Sequence, residues 1–157
     1  MKYLLLSSIL FVSCRANNTV LNTADIELIK DSARAMTDHL TRDLSDRGPI
    51  AWLDYFEDSP EFYMASEGSL TFENYQAAGK FINDTLVKKF VQITLHWDQL
   101  RIDPLSFNLA SVASGFREEL KDSSGKSIYA NGYFSAVAEK SLNGWKLRNA
   151  HWSILKQ

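Results

Sequence analysis

The sequence predicts a single α+β domain in which N-terminal helices pack inside a strongly bent antiparallel sheet, and three observations predict it. Apolar residues recur at helical spacing through the first part of the domain, four long β-rich segments fill the second half, and the separators of those segments are short turn sequences. A chain of 157 residues has room for one core.

Residues 1–14 read as an export signal. Lys2 supplies a positive start, and Tyr3 to Val12 is an apolar run of ten residues, well short of the roughly 20 needed to span a bilayer. The run ends in Phe11-Val12-Ser13-Cys14, which resembles a bacterial lipobox and makes Cys14, the only cysteine, a lipidation candidate. Cleavage after Ala16 is the alternative. No disulfide can form within one chain from one cysteine. Residues 15–22 form a short tether, and the domain spans 23–157. The expected location is the periplasm, either free or as a membrane-anchored lipoprotein, with the membrane touched only through the signal or the lipid.

Within the domain, Ile26, Ile29, Ala33, Met36, Leu40 and Leu44 mark one face of a long helix. Asn22 or Thr23 caps it and Gly48-Pro49 stops it. A short helix is expected over 49–56, since Pro49 is tolerated in a first turn. Residues 61–66 alternate as a strand, and Glu67-Gly68-Ser69 turns the chain. A third helix follows, with Phe72, Tyr75, Gly79, Ile82 and Leu86 on one side. Segments 90–102, 106–121, 127–140 and 144–155 then form a meander, joined by Asp103-Pro104, Asp122-Ser123-Ser124-Gly125 and the hairpin signal Asn143-Gly144. Gly115 and Gly132 are the natural bending points of the long strands.

The net charge of −2 and the dispersed Lys and Arg residues provide no field for gathering phosphates, so nucleic acid is not an expected partner. No HExxH, CxxC, GxSxG or GxGxxG sequence is present. Ser124-Gly125-Lys126-Ser127 imitates the end of a phosphate loop, but Leu120 stands where the first glycine belongs. No cofactor or metal is implied.

The run from Trp52 to Phe62, the stretch Met64-Ala65-Ser66-Glu67-Gly68 and the closing segment from Gly144 to Ser153 together resemble the nuclear transport factor 2-like superfamily, with its SnoaL-like and ketosteroid isomerase-like members. The resemblance covers about residues 23–156. It implies a cone with a pocket between helices and sheet, and a homodimer formed through the sheet's outer face. It transfers no catalytic role, because no residue here falls in a sufficiently specific motif.

The candidate ligand-binding residues are Trp52, Tyr55, Tyr63, Trp97, Arg117, Glu119, Tyr133 and His151. Strand parity groups Trp145, Leu147, Asn149, His151 and Ser153 on one face, where His151 can act as a base or hydrogen-bond donor. Arg117 and Glu119 share a face with Ser111, Ala113 and Gly115. If that face is inward it offers volume and an anion anchor; if outward, a surface ion pair. His96 and Asp98 also share a face. Trp52, Phe56, Phe62, Phe81, Trp97, Phe116, Phe134 and Trp152 are expected in the core, some lining the pocket. These residues support a small-molecule-binding domain. Two alternatives remain open: an isomerase or dehydratase using His151, or an acid with a Tyr, in the cone, and an interaction module whose cone is filled.

Overall fold

The computed structural model describes residues 20–155. The expected export signal, the lipobox-like end at Cys14 and residues 15–19 of the expected tether lie outside them.

Asn22 opens α1 (Thr23–Arg47) with a reciprocal pair of hydrogen bonds. Its side chain accepts from the Asp25 N–H at 2.9 Å, and the Asp25 carboxylate accepts from the Asn22 N–H at 3.2 Å. Ile29, Ala33, Met36, Leu40 and Leu44 form the buried stripe. Gly48 ends the helix at φ +73°, and a Cβ there would lie 2.6 Å from the Val91 carbonyl oxygen, so both backbone and space require glycine. Pro49 then starts a 3₁₀ helix, Gly48–Asp54. Beyond it the chain bridges to the last strand: the Leu147 N–H donates to the Tyr55 carbonyl at 2.7 Å and the Glu57 N–H to the Leu147 carbonyl at 2.9 Å.

The third helix starts later than its periodicity predicts. Glu67 and Gly68 adopt positive φ and reverse the chain so tightly that β1 (Tyr63–Ser66) pairs with a further strand, β2 (Ser69–Phe72). Phe72 therefore belongs to a strand. Helix α2 (Tyr75–Phe81) follows, capped by the Asn74 side chain accepting from the Ala77 N–H at 2.9 Å. A π-helical turn, Ile82–Leu86, and a last short turn, α3 (Val87–Lys89), complete the segment.

The meander consists of β3 (Gln92–Pro104), β4 (Leu109–Lys121), β5 (Ser127–Ser141) and β6 (Gly144–Ile154), paired antiparallel in sequence order. β1 joins β6 in parallel, so the six-stranded sheet is mixed, with order β2-β1-β6-β5-β4-β3. It is curved and unclosed around the helices. Two register shifts re-aim side chains. In β3, two residues, Gln99 and Leu100, lie between the paired positions Asp98 and Arg101, and Gln99 has φ 57°. In β6, Leu147 pairs with Ala138 and Asn149 with Val137, which leaves Arg148 as the extra residue.

That second bulge corrects the expected parity of the last strand. Trp145 and Leu147 face the core, but beyond Arg148 the phase flips, and Ala150 and Trp152 are buried while His151 is exposed. The core closes over an aromatic chain: Trp152 meets Phe116, Phe134, Trp52 and Trp97 at centroid distances of 4.2, 5.1, 5.8 and 6.2 Å. Phe81 departs from the expected core set, being 40% exposed where it packs on Phe72.

Candidate functional site

A cavity of about 280 Å³ lies between the helices and the inner face of the sheet. The 3₁₀ segment contributes Trp52 and Phe56, the β1–β2 hairpin Met64, Thr71 and Phe72, and the helical segment Phe81, Ile82 and Leu86. From the sheet come Ile93, Glu118, Leu120, Phe134, Ala150, Trp152 and Ile154. Thr71, Phe81 and Ile154 are exposed and mark the opening.

Among the described residues one lining side chain is charged, and it sits in an apolar row. Along β4 the residues Ala110, Val112, Ser114 and Phe116 point inward and are buried, with Glu118 and Leu120 continuing the same face. Glu118 pairs across the ladder with Leu95 of β3 and Ala130 of β5. Burial pushes its carboxyl from 4.5 up to about 7, and among the described residues no hydrogen bond or neighbouring charge counters the shift. Thr71, the other polar side chain besides the indoles, shares a hydrogen with Ser66 at 2.6 Å. Trp145 Nε1 donates to Ser32 Oγ at 2.9 Å, whereas Trp97 Nε1 is buried without an acceptor.

Of the residues nominated from sequence, Trp52 lines this cavity. Trp97 lies on the inner face and packs on Phe134 at 5.2 Å, next to the lining. Tyr55 turns away: its hydroxyl donates to Asp43 at 2.7 Å, and burial together with that carboxylate raises the phenol's pKa. The face carrying Arg117 and Glu119 is the outer one. Arg117 clamps Asp98 there with two hydrogen bonds of 2.9 and 3.0 Å, which hold the Asp98 carboxyl below its ordinary value. Among the described residues His96 makes no hydrogen bond to Asp98, whose partner is Arg117. Glu119 accepts from Ser127 at 2.5 Å and Tyr129 at 3.3 Å. Tyr63, Tyr133 and His151 are exposed on the same outer face, Tyr133 in one depression and Tyr63 with His151 in another, and neither depression is lined by Glu118.

None of the chemical constellations expected from sequence is assembled around the cavity. His151 and the Arg117 anchor stand across the sheet from it, and no tyrosine is among its lining residues. Ser124-Gly125-Lys126-Ser127 is a hairpin turn, in which the Asp122 carboxylate accepts from the Ser124 and Lys126 N–H groups at 2.9 and 3.0 Å. Glu118 is absent from the candidates read from sequence, although the sequence carries its signal. It shares parity with Val112, Phe116 and Leu120, the large apolar residues that identify the core face of β4.

Helices seated in a curved mixed sheet, with an apolar cavity between the two layers, define an α+β cone. The chain has the nuclear transport factor 2-like fold. It is similar to a nuclear transport factor 2-like superfamily protein from Salmonella enterica serovar Typhimurium, with TM-score 0.68 and 18% identity over 83% of this chain and 94% of that one. It is also similar to the hexachlorocyclohexane dehydrochlorinase LinA-type3 from Novosphingobium barchaimii, with TM-score 0.66 and 12% identity over 86% and 92% of the two chains. A third likeness is to a protein of unknown function from Shewanella oneidensis, with TM-score 0.58 and 16% identity over 80% and 98%. No family model and no curated protein matches the sequence.

Proposed function

We propose that this chain is an exported small-molecule-binding domain whose ligand occupies the cavity beside Glu118. The observation that carries the reading is the cavity itself: apolar on nearly every side, open at one end, and furnished with a single unpartnered carboxyl. Binding sites commonly combine an apolar lining with a few orienting polar groups, and a carboxyl kept from full ionisation is a recurrent feature of functional clefts. The volume suits a ligand of on the order of ten non-hydrogen atoms.

In this reading the domain is exported, tethered through Cys14, and pairs with a second copy through the outer face. The small residues Ala65, Ser111, Ala113 and Ser135 of that face, with Tyr63 and Tyr133 exposed beside them, support the last point. Intact mass of the membrane fraction and sedimentation of the purified protein test the tether and the pairing.

Proton transfer is the second reading. A carboxyl with a pKa near 7 is matched to general acid–base work at neutral pH. It ranks behind binding alone because no tyrosine or histidine among the described residues lines the cavity to stabilise a developing oxyanion. The filled-cone alternative sits poorly with an open space of about 280 Å³.

Thermal-shift titration of the purified protein with 4-phenylbutanol, beside the variant Ala150→Leu, tests the reading. Saturable stabilisation of the native protein that disappears when Leu fills the cavity is expected. Equal responses in both proteins would place binding elsewhere and remove the cavity from consideration.

A further inference from the structure

The reading of the cavity as a ligand site leaves open what chemistry the ligand carries, and the lining restricts it. Among the described residues Glu118 is the one ionisable lining residue. No Lys or Arg among the described residues shares the cavity, and the nearest in sequence, Arg117, is spent on Asp98 across the sheet. No donor among the described residues reaches the Glu118 oxygens, so the complementary group must bring its own hydrogens. An anionic ligand would set two unpaired negative charges in one desolvated space. Around the carboxyl stands an aromatic wall: Trp52, Phe56, Phe72, Phe81, Phe134 and Trp152. Aromatic faces attract a cation, most strongly when it is desolvated.

We propose that the cavity takes a small amphiphilic amine, whose ammonium group meets the Glu118 carboxylate while its aromatic or alkyl frame lies among Trp52, Phe134 and Trp152. The proposal rests on the cavity being the ligand site and adds the ligand's charge class. An ammonium supplies the missing counter-charge and up to three donors. Its carbon frame replaces water against the apolar walls.

Calorimetric titration with three probes on one frame tests it: 4-phenylbutylamine, 4-phenylbutanol and 4-phenylbutyrate, against the native protein, Glu118→Gln and Ala150→Leu. The native protein is expected to bind the amine roughly tenfold or more tightly than the alcohol, and the carboxylate most weakly. In Glu118→Gln the amine should lose that advantage while the alcohol still binds. Equal affinity of amine and alcohol for the native protein overturns the charge class and leaves the cavity reading standing, provided Ala150→Leu abolishes both. An amine preference that persists in Glu118→Gln overturns it as well, and where that variant fails to fold Glu118→Ala replaces it. Failure of all three probes to bind overturns the cavity reading together with the proposal.

Discussion

Arg117 and Glu118 are adjacent in β4 and serve opposite faces of the same sheet. The Arg117 guanidinium is clamped to Asp98 outside at 2.9 and 3.0 Å, while the Glu118 carboxyl faces an apolar cavity with no partner among the described residues. The period of a strand puts neighbouring side chains about 5 Å apart at their roots yet on different sides of a barrier, so the cation cannot relieve the buried anion.

That isolation costs stability, with a definite sign. The Glu118 pKa is raised in the folded protein, so the native state binds its proton more tightly than the unfolded chain does. Stability from this group is greatest below about pH 4.5, falls as pH rises through the interval from 4.5 to about 7, and is level beyond it. Glu118→Leu should therefore be more stable than the native protein at pH 8, by on the order of 2 kcal/mol, with a smaller difference at pH 5. Urea unfolding at the two pH values checks this, and a variant that is less stable at pH 8 would show that the carboxyl is favourably paired.

Gly132 and Gly115 sit close together in the sheet but differ in what a methyl group would meet. A Cβ at Gly132 would overlap the Ser153 carbonyl oxygen and press on the Phe116 ring at 3.0 Å, whereas at Gly115 the first contact is 3.4 Å from the Asp98 Cβ. Gly132→Ala should cost about 2 kcal/mol or more by forcing β5 and β6 apart. Gly115→Ala should stay within about 1 kcal/mol of the parent. Denaturant midpoints of the pair check the contrast.

The outer ion pair is expected to matter little. Arg117 and Asp98 are 66% and 45% exposed, and pairs of that kind contribute about 0–1 kcal/mol. Arg117→Ala and His151→Ala should leave both thermal stability and binding of the neutral probe essentially unchanged. Loss of probe binding in either would relocate the ligand to the outer face.

Filling the cavity should separate folding from binding. Ala150 is 3% exposed and lines the space, so Ala150→Leu has room to place its added carbons there. Its stability is expected within about 1 kcal/mol of the parent, with probe binding lost. A large destabilisation would mean that the space is already occupied by packed atoms.

Much of the fold was legible because its signals are local and periodic. The capping pair Asn22 and Asp25, the stripe along α1, the stop at Gly48-Pro49 and the four meander segments each follow from residues close in sequence. β2 was less legible, because its four residues carry only one buried side chain, Phe72, which also fits a helical spacing. The site was legible only in part. Trp52 reached the cavity, but the bulge at Arg148 shifts His151 outward, and a bulge depends on pairing with a distant strand that parity counting does not see. Arg117 and Glu119 form a charged pair beside small residues, a sequence pattern that fits either face of the sheet. The opposite parity of β4, with Val112, Phe116 and Leu120, already pointed inward and carried Glu118 with it.

The most direct measurement is the pKa of Glu118, followed by carbon-detected NMR of side-chain carboxyls in the purified protein and assigned with Glu118→Gln. A midpoint near 7 is expected, displaced downward when a small amine fills the cavity. A midpoint near 4.5 that no ligand moves would show a solvated surface carboxylate, and would remove Glu118 and the cavity beside it as the centre of function.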